Sequence, residues 1–475
     1  MAHSYQPDPA YLSLGDGYAD PVAAADFPEA ILRWRNDRAA ATVGLEMLDD
    51  TDWVDHFGRF LPLKDNLPTP LAQRYHGHQF RSYNPNIGDG RGFLFAEMRD
   101  TDSRLLDLGT KGSGTTPHSR TGDGRLTLKG GMREILATEM LEALGANTSK
   151  TLSLIETGEP LQRNDEPSPT RSAVMVRLSH GHIRIGSFQR LGTLGEHELL
   201  NGLVDWSLET YFGGAKGTNA EEKAAELLSH TAETTANLAA DLMVSGFVHG
   251  VLNTDNINIT GECFDYGPWR FLPEFDPSFT AAYFDHQGLY CYGRQPEAIQ
   301  WNLYQLAGSM LGVARENTLR PILEKFPEHF SNKMREKLIV RLGLKSRGLQ
   351  EDEPLLLAFH SMLASHKAMY EQTIFDWYGG GASKDRAASS PQSSIYQSAE
   401  GLSFQEAIGA FEPLEAIALS HSYFARSTPC TMLIDEVEAI WSHIDERDDW
   451  SVFTDKITEI RAMGEALSAQ IYVGT

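Results

Sequence analysis

The stretch HGVLNTDNINITGECFDYGP, residues 249–268, decides the fold class of this chain. It places Asp255 and Asn256 side by side in a polar run and Asp265 a short distance further on. Mg²⁺ bound together with a nucleotide takes one or two carboxylate ligands from the protein and fills its other positions with phosphate oxygens and water. The stretch therefore predicts a magnesium–nucleotide site, and the competing interpretation is an ordinary polar loop between helices.

The same stretch resembles the catalytic segment of protein kinases, in which an HRDxxxxN loop is followed by DFG. In that comparison Asn256 and Asp265 hold Mg²⁺, and DYG replaces DFG. The catalytic aspartate of kinases is missing, because Val251 stands at its position. Asp255, directly before the asparagine, is then the candidate base and would act from a different angle.

Two glycine-rich segments lie upstream, IGDGRG at 87–92 and SRTGDGR at 119–125. Glycines at a turn between strands let backbone N–H groups approach a polyphosphate. Glycines and arginines directly before a helix form an anion site through the helix dipole and the exposed N–H groups. The first segment is equally compatible with a simple hairpin, since Asp-Gly is a common turn dipeptide.

Four charged residues complete the pattern. Lys111 ends a predicted strand and Glu134 lies early in the next predicted helix, as in kinases, where such a glutamate positions a phosphate-binding lysine. Arg177 and Arg184 lie on later predicted strands, in VMVRLS and HIRIGS, and are candidates to close the pocket. For all four, the alternative is a solvated surface charge in a weak ion pair.

Helical and strand periodicities predict an α+β chain with a protein-kinase-like bilobal fold, in which a β-rich N-lobe with one αC-like helix precedes a helical C-lobe, with helical N- and C-terminal extensions. Helices are predicted at 28–48, 50–60, 128–144 and 221–245, and strands at 93–98, 105–110, 151–156, 173–178 and 182–188. The predicted segments are an N-terminal helical extension at 1–75, the N-lobe at 76–192, the C-lobe at 193–378, a flexible linker at 379–400 and a helical segment at 401–475.

The amino-acid composition of the chain disfavours some classes of binding partner. The 475 residues include 41 basic and 65 acidic side chains, a net charge of −24, which disfavours nucleic acid and anionic lipid. No apolar run is long enough to span a membrane, and the N-terminus lacks the pattern of a presequence. Cys263, Cys291 and Cys430 have no metal-finger spacing and fit buried thiols in a reducing compartment. We expect a cytoplasmic monomer.

With these residues assembled, the chain resembles the selenoprotein O (SelO) family of pseudokinase adenylyltransferases, as a member without selenocysteine. The resemblance is dense between about residues 60 and 310. The matching motifs are YHGHQF at 75–80, IGDGRG at 87–92, LGTKGSG at 108–114, SRTGDGRLTLKGGMRE at 119–134, HIRIGSFQ at 182–189, HGVLNTDN at 249–256, FDYGP at 264–268 and DHQGLYCYGRQP at 285–296.

This resemblance implies an ATP bound in the opposite orientation to that in kinases, with its γ-phosphate in the pocket and its α-phosphate toward the acceptor. AMP would pass to a Ser, Thr or Tyr hydroxyl of a protein, and diphosphate would leave. Asp255 would be the catalytic base, and Asn256 and Asp265 would hold Mg²⁺, with Mn²⁺ as the alternative. The implied nucleotide-binding residues are Gly88, Gly90, Arg91, Lys111, Asp123, Gly124, Glu134, Arg177 and Arg184.

The chain departs from the family in its cysteines. Many relatives carry a redox-active cysteine or selenocysteine near the C-terminus, whereas this chain ends in IYVGT at 471–475. A further family cysteine is replaced near Ala281, so a regulatory disulfide is not expected. Two other functions stay open at this point, a true kinase that uses Asp255 as its base and an inactive ATP-binding scaffold.

Overall fold

The computed structural model describes residues 4–415 and 419–467, and its architecture is a mixed α+β fold. The strands are β1 Ala19–Pro21, β2 Ile31–Arg35, β3 Leu71–Gln73, β4 Gly77–Gln79, β5 Ser82–Asn84, β6 Leu94–Arg99, β7 Leu105–Lys111, β8 Leu126–Thr127, β9 Lys150–Leu161, β10 Thr170–Ser179, β11 Phe247–Val248 and β12 Arg270–Phe271.

The α-helices lie mostly after the strands. They are α1 Asp37–Ala41, α2 Asp50–Phe57, α3 Leu128–Ala143, α4 Ile185–Leu194, α5 His197–Tyr211, α6 Ala220–Val244, α7 Gln295–Ser309, α8 Glu316–Leu323, α9 Phe326–Arg341, α10 Leu349–His366, α11 Tyr370–Trp377, α12 Lys384–Ala388, α13 Ser393–Tyr396, α14 Ala399–Ile408, α15 Ile434–Arg447 and α16 Ser451–Leu467. Short 3₁₀ turns occupy Ala10–Leu14, Thr254–Asn256, Tyr292–Arg294, Gly380–Ser383 and Ser422–Ala425.

An antiparallel sheet in the order β1-β3-β6-β7-β10-β9-β2, with β8 also paired to β10, forms the first part of the protein. Both of its faces are buried. Along β10, Met175 faces one hydrophobic cluster with Met132 and Leu136 of α3, while Val174 joins Trp53 on the opposite face. Alternation along a strand sends successive side chains to opposite faces, so one apolar strand serves both layers.

Helix α3 lies between the sheet and the C-terminal helix α16. The Thr127 hydroxyl caps α3 by accepting a hydrogen bond from the backbone N–H of Gly130. On its outer side, Arg461 Nε of α16 donates to Glu139 Oε2 at 2.9 Å. The backbones of the two helices approach closely, because a Cβ placed on Gly464 would lie 3.2 Å from the Cβ of Ala143. The C-terminal segment thus holds α3 against the sheet.

The second part of the protein is helical and is organised around α6. Asn219 caps this helix by accepting from the N–H of Glu222, and Glu221 and Glu222 suit the positive end of its dipole. At its other end, the short β11–β12 ladder brings the stretch 249–268 back against the sheet. This return places the polar loop of that stretch where the two parts of the chain meet.

Three secondary-structure predictions are wrong. Residues 28–48 form the strand β2 and the short helix α1, because the run ILRWR pairs with β9, far away in sequence. The N-terminal segment therefore supplies strands at both ends of the sheet as well as helix. Residues 182–188 do not form a strand; α4 begins at Ile185, and Arg184 sits directly before it.

The segment 379–400 is not a flexible linker, which is the third wrong prediction. It folds into a 3₁₀ turn and the helices α12 and α13, with the start of α14. Tyr396 is buried and donates its hydroxyl to Asp376 Oδ2 at 2.5 Å, and Arg386 donates to the carbonyls of Phe375 and Tyr378. The hydrogen bonds of these two side chains stabilise a folded conformation, although the Gly and Ser content of the segment favours flexibility. The boundaries of the predicted domains stay predictions.

The three cysteines are buried and unpaired with one another. Burial raises the pKa of Cys263 and Cys430 to about 12, so both remain protonated thiols at neutral pH. The sequence 471–475, on which the expected lack of a regulatory disulfide partly rests, lies outside the described residues. Within residues 4–415 and 419–467, no helix combines the length and apolar character that crossing a membrane requires.

Candidate active site

A cavity of about 800 Å³ opens where the sheet meets the 249–268 stretch. Both glycine-rich segments line it, together with side chains from β7, β10 and the loop before α4. Every residue predicted for the site lines this cavity except Glu134, which lies behind Lys111 and bonds to it. Positions spread over the chain from 88 to 265 are thus brought to one place.

Three cations converge on the carboxylate of Asp265. Arg177 donates to its Oδ1 at 2.7 Å and Arg184 to its Oδ2 at 2.8 Å, while Lys111 Nζ lies 3.4 Å from Oδ1. Lys111 also forms a buried salt bridge with Glu134 on α3. The arrangement joins the sheet, α3 and the 249–268 stretch in one charged network.

The three cations of this network are buried, whereas Lys and Arg side chains are usually exposed. Lys111, Arg177 and Arg184 are 7%, 4% and 4% exposed, so the alternative of surface ion pairs is wrong for them. Burial by itself would raise the pKa of Asp265, but the two arginines and the lysine hold that pKa well below its usual range. Asp265 is therefore an ionised carboxylate near neutral pH.

The two arginines have donors to spare. Within the described part of the chain, Nε of Arg177 and Nε of Arg184 have no hydrogen-bond partner. The guanidinium of Arg184 also lies 4.6 Å from the centre of the Tyr75 ring and 4.8 Å from that of Phe264, which fixes its plane. Buried donors without partners are costly, and an anionic ligand would satisfy them.

The two glycine-rich segments lie against each other at the cavity. The hydroxyl of Ser119 donates to the carbonyl of Gly90 at 2.5 Å, and a Cβ placed on Gly88 would lie 2.5 Å from the ring of His118. Gly124 has φ +70°, and a Cβ there would lie 2.3 Å from the backbone of Gly114. Only glycine fits these contacts, which keep both backbones close to the space that a ligand would fill.

Asp123 and Arg91 belong to the outer part of the cavity. The carboxylate of Asp123 pairs with Arg163, with 2.7 Å between Nη1 and Oδ2, and its side chain is 49% exposed. Arg91 is exposed, and its carbonyl accepts from the N–H of Gly112 at the end of β7. Neither side chain reaches the network around Asp265 through a direct bond.

Asp255 lies beside this network, on the 3₁₀ turn Thr254–Asn256, and is 9% exposed. Its backbone carbonyl accepts from Arg184 at 2.9 Å, and its Oδ2 lies 3.5 Å from Gln79 Nε2. Its Oδ1 has no hydrogen-bond partner among residues 4–415 and 419–467. Burial raises the pKa of Asp255 to about 6, although Arg184 acts in the opposite direction. A carboxylate with such a pKa can accept a proton near neutral pH.

Asn256 follows with its amide held in place. Its Nδ2 donates to the carbonyl of Val251 at 2.9 Å, so that Oδ1 remains as the atom able to bind a cation. Asp265 has φ +59°, a left-handed conformation that Asp tolerates better than most residues. Strain of this kind is concentrated at functional sites.

Sequence reasoning missed several residues that the structure brings to the cavity. Asp89 lies 3.4 Å from Arg184, and burial raises its pKa against the effect of that arginine. Gly77 is needed beside Asp255, because a Cβ there would lie 2.9 Å from Asp255 Oδ1. The motif YHGHQF, which contains Tyr75, Gly77 and Gln79, was the available signal. His76 and His78, in the same motif, bond to Tyr83 and Gln189.

The chain is similar to known proteins over most of its length. A family described as Protein adenylyltransferase SelO matches residues 2–461. Proteins described as Protein nucleotidyltransferase YdiU are similar to the chain: that of Gloeobacter violaceus is 43% identical, over 96% of this chain and 94% of its own length. Those of Trichormus variabilis and Vibrio cholerae are 40% and 38% identical, over 96% and 77% of this chain and 96% and 73% of their own lengths. The family predicted from the motifs is confirmed: the chain belongs to the SelO protein adenylyltransferase family and is a nucleotidyltransferase.

Proposed function

We propose that this enzyme transfers AMP from magnesium-bound ATP to Ser, Thr or Tyr hydroxyls of proteins and releases diphosphate. The observation that carries the proposal is the group of three buried cations, Lys111, Arg177 and Arg184, on the inner side of the cavity. The terminal phosphates hold most of the charge of ATP, so these cations, with the Nε donors of Arg177 and Arg184 that have no partner in the described part of the chain, should attract them. The α-phosphate would then face Asp255 and the acceptor.

A protein-kinase-like bilobal fold is part of the proposal. Its support is the order of the parts: glycine-rich turn, strand with Lys111, helix with Glu134, then a helical region that carries Asn256 and Asp265. The Lys111–Glu134 salt bridge is the pair that kinases use to hold a phosphate-binding lysine. Val251 in place of the kinase catalytic aspartate, and two buried arginines, favour AMP transfer over phosphate transfer.

The residues present fit a magnesium ion. No cluster of three or more His, Cys, Asp or Glu side chains suited to a metal occurs in the described part of the chain. Mg²⁺ bound with a nucleotide does not need one, since phosphates and water complete its ligands. Asn256 and the ionised Asp265 would hold it, with Mn²⁺ as the alternative ion. When bound, it would neutralise charge on the phosphates of ATP.

The chain's own residues account for the rest of the reaction. Asp255 takes the proton of the acceptor hydroxyl, whose oxygen bonds to the α-phosphorus. The bond between that phosphorus and the oxygen bridging to the β-phosphorus breaks, and diphosphate leaves. Lys111, Arg177 and Arg184 stabilise the charge that develops on the leaving group.

The proposed function is tested with two parallel reactions, one containing ATP labelled at the α-phosphorus and one containing ATP labelled at the γ-phosphorus. Label incorporated into protein, including the enzyme itself, should come from the α position and not from the γ position. Incorporation from γ alone would make the protein a kinase and reverse the orientation of ATP. ATP binding without incorporation of either label would favour an inactive scaffold.

A pH dependence follows from Asp255. The base works when deprotonated, and its pKa is about 6, so kcat/KM should rise about tenfold per pH unit below pH 6 and level off above pH 7. Glu262, whose pKa burial raises to about 7, lies outside the cavity lining, so Glu262→Gln is the control that should keep this profile. Initial rates of AMP transfer between pH 5 and 8 measure it, and a rate that is constant over that range would contradict the role of Asp255.

A further inference from the structure

Four large aromatic side chains are exposed among residues 4–415 and 419–467: Phe80, Tyr283, Phe284 and Tyr304. Three of them are neighbours. The ring of Phe284 lies 5.7 Å from that of Phe80 and 5.1 Å from that of Tyr283, centre to centre. We call Phe80, Tyr283 and Phe284 the aromatic patch. Exposed aromatic side chains that gather in one place mark binding surfaces more often than isolated ones do.

The patch is attached to the loop that carries the catalytic base. Phe80 follows β4, and its backbone N–H donates to Asn253 Oδ1 at 3.0 Å. The hydroxyl of Tyr290 donates to the same oxygen at 2.7 Å, and its ring lies 5.0 Å from that of Phe80. Gln79, the residue before Phe80, contacts Asp255. The surface is therefore continuous with the side of the cavity at which Asp255 lies.

The hairpin that presents Phe80 has an unfavourable turn. Phe80 has φ +49° and Arg81 has φ +63°, so both central residues between β4 and β5 are left-handed. Turns of this kind prefer Asn and Gly, and a bulky residue there is strained. An exposed aromatic side chain at such a strained position points to a functional role, and binding is one that its exposure allows.

We propose that the aromatic patch binds the acceptor polypeptide, by contact with an apolar side chain next to the hydroxyl that receives AMP. This rests on the proposed function. The patch itself carries no charge, although the whole protein has a net charge of −24. Arg81, 43% exposed in its side chain, borders the patch and pairs with Glu297. Aromatic residues with an arginine at the edge are the composition of energetically dominant sites in protein interfaces.

Two fluorescent peptides with a central tyrosine test the proposal, one flanked by Leu and Phe and one flanked by Gly and Ser, equal in net charge. Binding is measured by fluorescence anisotropy with ATP and EDTA, so that no transfer occurs. Transfer is measured separately with α-labelled ATP and Mg²⁺. Phe80→Asn removes the aromatic ring and suits the turn, so the hairpin should be retained; Phe284→Ser removes the second ring. Tyr304→Ser on α7, where the side chain is as exposed as Phe284, is the matched control.

The wild-type protein should bind the apolar peptide at least tenfold more tightly than the polar one. Phe80→Asn and Phe284→Ser should each remove most of this difference and raise the KM for the apolar peptide, with the KM for ATP unchanged. Tyr304→Ser should behave like wild type. Equal binding of the two peptides, or binding unaffected by both patch variants while transfer proceeds, would overturn the docking role alone. Selective binding without transfer from α-labelled ATP would instead overturn the proposed function, and with it the acceptor role.

Discussion

Asp265→Ala is expected to reduce AMP transfer by a factor of about 10³ or more. The substitution removes a proposed ligand of Mg²⁺ and the carboxylate on which Arg177, Arg184 and Lys111 converge. Preorganised charges of this kind supply most of the catalysis in phosphoryl-type transfer. The measurement is single-turnover transfer from α-labelled ATP at saturating Mg²⁺.

Loss of folding must be separated from loss of chemistry in this variant. Without Asp265 three buried cations lose their shared partner, a change that destabilises proteins by about 3–5 kcal/mol. An added polyanion should restore part of this stability, so inorganic triphosphate should raise the melting temperature of Asp265→Ala more than that of wild type. Asp265→Asn, which keeps the shape, is the matched control for packing. A folded Asp265→Ala protein that transfers AMP at the wild-type rate would show that the site is misplaced.

Asp255→Asn is expected to lower kcat by about 10²–10⁴, the usual contribution of a general base. Binding of ATP should persist, because Asp265 and the cations proposed to bind its phosphates are untouched. The amide has almost the same volume as the carboxylate and removes only the group whose pKa is about 6. The rise of the rate between pH 5 and 7 should disappear together with most of the activity.

The control for this second substitution is Gln79→Ala, which removes the neighbour of Asp255 Oδ2 and keeps the carboxylate. It should retain a sigmoidal pH profile at a moderately altered rate. ATP affinity, measured by fluorescence of a labelled analogue, should match wild type in both variants. If Asp255→Asn keeps the wild-type kcat and pH profile, another group removes the proton.

The residues that line the cavity were easier to predict than the fold that brings them together. Lys111, Asn256 and Asp265 are recognisable in sequence because their chemistry depends on residue type and on the turn or strand that holds them. Arg184 was found for the same reason, although it precedes a helix and was expected in a strand. Asp89 was quoted within its motif but not assigned a role, since only the folded chain shows that it lies beside Arg184.

Residues 28–48 and 379–400 were misjudged because distant contacts determine their structure. β2 exists through pairing with β9, more than a hundred residues later, which local periodicity cannot reveal. The segment around Tyr396 has the composition of a linker, yet the buried hydroxyl and its bond to Asp376 order it. Which strands pair, and which single side chains anchor a segment, depend on contacts in the folded core. These contacts cannot be recognised from the local sequence pattern.

The packing of α16 on α3 bears on how the enzyme matures on the ribosome. Glu134 and the rest of α3 are translated before α16, the helix that covers their outer side. At about 5–20 residues per second, the roughly 300 residues between them take about 15–60 s to synthesise. During that time Glu134, the partner of Lys111 on β7, lies on a helix whose outer side α16 does not yet cover. Both sides of α3 are therefore covered only after α16 has been translated.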